Sequence, residues 1–204
     1  HASAGDYGRR YWFSTKPTLE NLLARYRAQF AGKHFDDEIK ELIRDQVKSS
    51  KVGLAKWQVM VSPGVDLPEQ KSLTLLVMPP DCVYAENDET TSAIQHRVLG
   101  ISLRCGQKDR HYRNTLLFLI PSAQALRLLR QSLREQVALK EVLRDYGSQL
   151  DKEQKDELKG KLEKAEGDVQ EKFASAYAYI ARVEGQEAAI STIPELKKMF
   201  SEQL

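Results

Sequence analysis

Leu73-Thr74-Leu75-Leu76-Val77-Met78 closes at Pro79-Pro80, and Thr115-Leu116-Leu117-Phe118-Leu119-Ile120 closes at Pro121. Both runs are apolar nearly throughout and too short for a buried helix. A strand that faces water on one side alternates; these do not, so they read as strands covered on both faces, in the middle of a sheet. Between them Thr91 to Leu103 places Ile94, Val98, Ile101 and Leu103 at helical spacing. The expected unit is strand–helix–strand, with parallel neighbours and a right-handed crossover.

Outward from that unit, Trp57-Gln58-Val59-Met60-Val61 alternates as a half-buried strand and stops at Pro63-Gly64. Tyr11-Trp12-Phe13-Ser14 reads as a short strand. Pro17 pre-sets a helix start, with Leu19, Leu22, Leu23, Tyr26 and Phe30 on one stripe. Asp36 reads as the N-cap of a second helix carrying Ile39, Leu42, Ile43 and Val47, which ends before Gly53.

Past Ser122 the pattern changes. Leu126, Leu129, Leu133, Val137, Val142 and Leu143 mark one long helix. After Gly147 a second begins near Asp151, with Leu158, Leu162, Ala165, Val169, Phe173, Ala176 and Ile180 spaced by three and four. The pair predicts an antiparallel hairpin whose outer faces, dense in Lys, Arg and Glu, read as a solvated surface. Thr192 and Glu195 make a capping box for a last short helix. The fold class is therefore α/β: a small mixed or parallel sheet of about three to four strands with flanking helices, then a long antiparallel helical hairpin. The divisions expected are an α/β domain over 1–121, the hairpin over 122–184 and the short helix within 185–204.

The chain has 204 residues, 41% hydrophobic and 29% charged, enough to bury a core without a metal or disulfide staple. Composition excludes a disordered chain, and no apolar run approaches the roughly 20 residues of a membrane helix, so no membrane partner is expected. Cys82 and Cys105 lack CxxC spacing and read as free thiols of a cytoplasmic protein. The leading His1, without methionine, reads as a tag remnant, so the native protein is expected to begin elsewhere. With 31 basic against 29 acidic residues the net charge is +2. Any nucleic-acid face must then come from local clustering.

The chain carries no GxxxxGK[ST], GxSxG, HExxH or GxGxxG. His1, His34, His96 and His111 are isolated from one another, so no catalytic residue and no cofactor is assigned. Asp81, Glu86, Asp88 and Glu89 follow a strand end, where α/β sheets place ligands, but their spacing fits no calcium loop. The densest cluster is Arg104, Lys108, Arg110, His111, Tyr112, Arg113 and Asn114. Cations interleaved with an aromatic suit phosphate contact plus base stacking. The plainer alternative is that Arg110 and Arg113 pair with the acidic loop or cap helix ends.

Two stretches, Arg10-Tyr11-Trp12-Phe13-Ser14-Thr15-Lys16-Pro17-Thr18-Leu19-Glu20-Asn21-Leu22-Leu23 and Arg110-His111-Tyr112-Arg113-Asn114-Thr115 running through the strand to Pro121, with Val137-Ala138-Leu139-Lys140-Glu141-Val142 downstream, carry a family resemblance. They resemble the region after the nucleotide-binding core in a family of large predicted ATPases of the AAA superfamily in bacteria and archaea. Members look like components of gene clusters for defence against foreign DNA, beside methyltransferases and helicases. The resemblance implies a DNA-linked role for the whole protein, ATP and magnesium for its nucleotide-binding part, and Arg113 and Asn114 as positions to watch. It carries no ATPase activity to this segment, which lacks the phosphate loop.

The expected function is a non-catalytic accessory module of a larger ATPase chain, positioning DNA or a partner protein through Arg104, Lys108, Arg110, Tyr112, Arg113 and Asn114, with the hairpin as lever or docking arm. Were the hairpin an arm, it would expose more apolar surface than a monomer leaves uncovered. Two other classes stand beside this one: a structural or oligomerisation module without nucleic acid, and a degenerate nuclease-like domain using Asp81, Glu86 and a basic residue.

Overall fold

A computed structural model describes residues 18–49, 58–61, 67–69 and 71–193. The chain runs through α1 (Leu19–Gln29), α2 (Asp36–Ser49), β1 (Gln58–Val61), β2 (Thr74–Val77), α3 (Asp88–Leu103), β3 (Arg104–Cys105), β4 (Lys108–Asp109), a 3₁₀ turn (Arg113–Thr115) and β5 (Leu116–Pro121). It continues through α4 (Ala123–Tyr146), α5 (Lys152–Ala176), β6 (Tyr177–Glu184) and β7 (Glu187–Thr192). The expected strand at Tyr11–Ser14 lies outside the described residues.

The two apolar runs are adjacent inner strands. The main sheet has the order β1-β2-β5-β6-β7. β1, β2 and β5 are parallel, with Leu76 opposite Phe118, and β6 and β7 are antiparallel additions. Leu76 and Phe118, both fully buried, share a core with Ile94, Val98 and Ile101 of α3. Val77, next along β2, joins the opposite core with Phe35, Ile39, Ile43, Leu126 and Val169. A strand that buries consecutive residues in different cores has no polar face, which is why the sequence does not alternate. Each such side chain contributes roughly 1.5–3 kcal/mol on burial.

The hairpin is an insertion between two paired strands. β5 passes through Ser122, whose hydroxyl accepts the Ala125 N–H at 3.3 Å, straight into α4. The reverse turn needs Gly147, where a Cβ would fall 2.3 Å from the Leu143 carbonyl oxygen. α5 starts on a capping box in which Asp151 accepts the Gln154 N–H at 2.9 Å and Gln154 accepts the Asp151 N–H at 3.2 Å. It then runs without a loop into β6, and the Ser122 N–H donates to the Ala176 carbonyl at 2.8 Å, tying the two legs at their base.

The second leg therefore ends at Ala176, where the sequence predicted helix as far as 184. Ile180 lies on β6 opposite Leu119. Spacing by three and four through Phe173, Ala176 and Ile180 carried the helical reading too far, while the strand formers Tyr177, Tyr179, Ile180 and Val183 argued the other way. Glu184 pairs with Glu187 across a two-residue loop whose first residue, Gly185, has φ 63°, a left-handed backbone that glycine adopts at no steric cost. Part of the segment expected to hold only a short helix is thus β7, and the sheet has five strands rather than about three to four. The helix expected from Thr192 and Glu195 falls beyond the described residues.

α1 packs on the hairpin. Leu19, Leu22 and Leu23 share a core with Leu139, Val142, Leu150, Leu158 and Ala165, giving a three-helix bundle. Asp36 is the first helical residue of α2 and not its cap. The cap position falls to Phe35, whose carbonyl accepts the Ile39 N–H at 3.0 Å. Phe35 holds φ 57°, a conformation costing about 1–2 kcal/mol, against the burial of its ring at 1% exposure. Asp36 is left free to take the Arg130 guanidinium at 2.8 Å.

Candidate nucleic-acid interface

The basic segment lies at the N-terminal end of β5. It begins where α3 ends, at β3, turns through Gly106 (φ 62°) and returns along β4, with Cys105 opposite Lys108. Arg104 and Lys108 are exposed on this small ribbon. From Arg110 the chain doubles into the 3₁₀ turn that feeds β5.

Arg110 is 2% exposed. Its Nε donates to the Ile101 carbonyl at 3.3 Å; one terminal nitrogen donates to Pro68 at 3.0 Å, and the other to Leu67 at 2.5 Å and Arg104 at 3.2 Å. The Ile101 carbonyl belongs to the last turn of α3 and has no helical partner of its own, so the guanidinium completes that helix end. Burying a cation costs several kcal/mol unless donors and acceptors are matched, and here the planar fork meets a ring of carbonyls. Of the six candidate contact residues Arg110 is thus the one turned inward. It ties the 67–69 stretch, the end of α3 and the start of β3 into one knot.

Beyond the knot, Glu69 accepts the N–H of Tyr112 at 2.9 Å and of His111 at 3.4 Å. The Tyr112 amide, then that of His111, with the nearby Arg110 charge, holds the Glu69 carboxyl below its usual range. Arg113 is half-buried, with Nε donating to the Arg110 carbonyl at 3.1 Å. The Tyr112 ring stays 40% exposed, with Lys71 Nζ 5.9 Å from its centroid. Asn114 lines a cleft of about 410 Å³ together with Leu73, Leu117, Arg182 and Glu184. The sequence reading omitted Glu69, Lys71 and Arg182, which are distant along the chain and carry no local signal.

The acidic segment follows β2 at the other end of the sheet, because β2 and β5 are parallel. Arg110 and Arg113 therefore do not pair with it; the helix-end alternative is what Arg110 realises. Asp81 faces Arg97 at 3.6 Å, and Glu86 accepts the Tyr179 hydroxyl at 2.7 Å, which pushes the Tyr179 phenol up to about 12. Asp88 and Glu89 belong to the first turn of α3, capped by Asn87. Among the described residues no group of three or more His, Cys, Asp and Glu is placed to hold a metal ion. Cys82 and Cys105 are free thiols, and burial pushes Cys82 up to about 11.

The hairpin does not present the uncovered apolar face expected of a docking arm. Among the described residues the large apolar side chains left exposed are Tyr112 and Leu128, the latter at 44%. Leu128 borders a groove of about 640 Å³ between α1, α4 and α5, where Arg27 and Glu135 pair at 2.6 Å. Among the described residues no helix is long and apolar enough to cross a membrane. No family model matches this chain, and no curated protein or solved structure matches it either.

Proposed function

We propose that this chain is a non-catalytic accessory module of a larger ATPase, working in the cytoplasm, and that it holds DNA against the surface formed by Arg104, Lys108, Tyr112, Arg113 and Asn114. The observation that carries this reading is the construction of the loop. A buried arginine and a carboxylate that grips two successive amides fix the backbone from which an exposed aromatic and several cations project. Fixing such a loop in advance removes the entropy that binding would otherwise cost. The cations supply phosphate contacts, the part of DNA affinity that does not depend on sequence.

The hairpin suits a lever. Its legs are continuous with β5, the strand that the basic loop feeds, and with β6, which pairs with β5, so a load on the bundle reaches the binding surface through these strands. ATP and magnesium belong, on this reading, to the rest of the larger chain. The test is anisotropy of labelled DNA titrated with the protein over a salt series. Binding should weaken steeply with salt, and Arg104→Glu with Lys108→Glu should abolish it while leaving the melting temperature unchanged. Absence of binding at low salt would remove DNA from this chain's role and leave a protein-binding or structural module.

A further inference from the structure

We infer that the strand this surface takes is single-stranded DNA, with one unpaired base stacked on Tyr112 and its neighbour lodged in the cleft behind Asn114. The inference rests on the DNA-binding reading above and narrows its substrate. Three features of the site point the same way. Tyr112 offers an exposed ring on a backbone pinned by Glu69, so the platform is already oriented. Stacking on an aromatic needs a base whose face is free, and in a duplex both faces are covered by neighbouring pairs; extruding one costs a few kcal/mol.

The cleft begins at Asn114, two residues on from the platform. Its wall is apolar at Leu73, Leu116, Leu117 and Val183 and charged at Arg182 and Glu184, and its volume of about 410 Å³ lies within the range of small-ligand sites. That combination fits a planar base against the leucines with a phosphate toward the arginine. A duplex is too wide to enter it. Lys71, beside the Tyr112 ring, and Arg104 and Lys108 on the ribbon supply cations along the path of the backbone. Arg182 is in part engaged by Glu184, its Nε 2.7 Å from a carboxylate oxygen, so a phosphate there competes with that pair.

The experiment compares labelled oligothymidylate with a blunt mixed-sequence duplex of equal length, using the 204-residue chain and its Tyr112→Ala and Tyr112→Phe variants. The single strand should bind more tightly than the duplex. Tyr112→Ala should weaken the single strand by about five- to a hundredfold, the range of one lost stacking contact, and the duplex by much less. Tyr112→Phe, which keeps the ring, should bind as the parent does. Because Tyr112 is gripped through its backbone amide, unchanged melting temperatures would show that the variants remain folded. Duplex binding equal to or tighter than single-strand binding, or a single-strand affinity indifferent to Tyr112→Ala, overturns this inference and leaves the DNA-binding reading standing. Absence of binding to both probes overturns the two together.

Discussion

Arg110 and Arg27 each join separate stretches of chain, and they do so by opposite means. Arg110 is buried and gives its donors to backbone carbonyls from three segments. Arg27 has a side chain 38% exposed and pairs with two carboxylates, Glu135 at 2.6 Å and Glu20 at 3.6 Å. The first cannot be replaced without stranding buried acceptors; the second sits in water that would take its place. Ion pairs counted on the bundle therefore say little about what holds the molecule together, whereas the carbonyl knot ties the loop after it to α3 and to the 67–69 stretch.

Arg110→Ala should give the largest effect that separates the two. The buried carbonyls of Leu67 and Ile101 lose their donor at once, at about 1–3 kcal/mol each before relaxation, while those of Pro68 and Arg104 can turn to water, for a loss of roughly 4 kcal/mol in urea unfolding. Arg110→Lys should recover little of it, because a single ammonium does not span the fork. Next comes Leu23→Ala in α1, expected to cost about 3 kcal/mol by opening a cavity in the bundle core. Amide exchange should then rise in α4 and α5 around Leu139 and Leu158; exchange confined to α1 would mean that the helix does not share their core.

Glu135→Gln should cost no more than about 1 kcal/mol, since the pair with Arg27 is more than a third exposed and screened by solvent. A loss near that of Arg110→Ala would erase the contrast drawn between the two arginines. The smallest effect is local and pH-dependent. The Glu69 carboxyl is held below its usual value by the Tyr112 amide first, so its contribution is fully present above that value. It fades as pH falls through the lowered folded value. A carbon-detected titration of Glu69 together with the Tyr112 amide should show both moving in that acidic window; an amide that shifts at the ordinary glutamate value would break the link.

Apolar strands and helical stripes made the α/β class and the hairpin legible, because burial on both faces of β2 and β5 and on one face of each long helix leaves its mark on composition. Three things left no such mark. The stripe on α1 says that Leu19, Leu22 and Leu23 are buried but not against what, and the answer, Leu139 and Leu158, lies more than a hundred residues away. The end of α5 was hidden by helical spacing that persists into a strand. In the basic cluster, Arg104, Lys108 and Arg110 are equivalent as letters; burial of one of them depends on the carbonyls of Leu67 and Pro68, which no local pattern announces.

That cluster divides into a residue that builds the loop, Arg110, and residues that use it. One paired measurement addresses it: melting temperature and DNA anisotropy on the same samples of the parent chain and of the Arg104→Glu, Lys108→Glu double variant. The melting temperature should be unchanged, with binding lost and the salt dependence gone. Binding that survives the double charge reversal at an unchanged melting temperature would contradict that division.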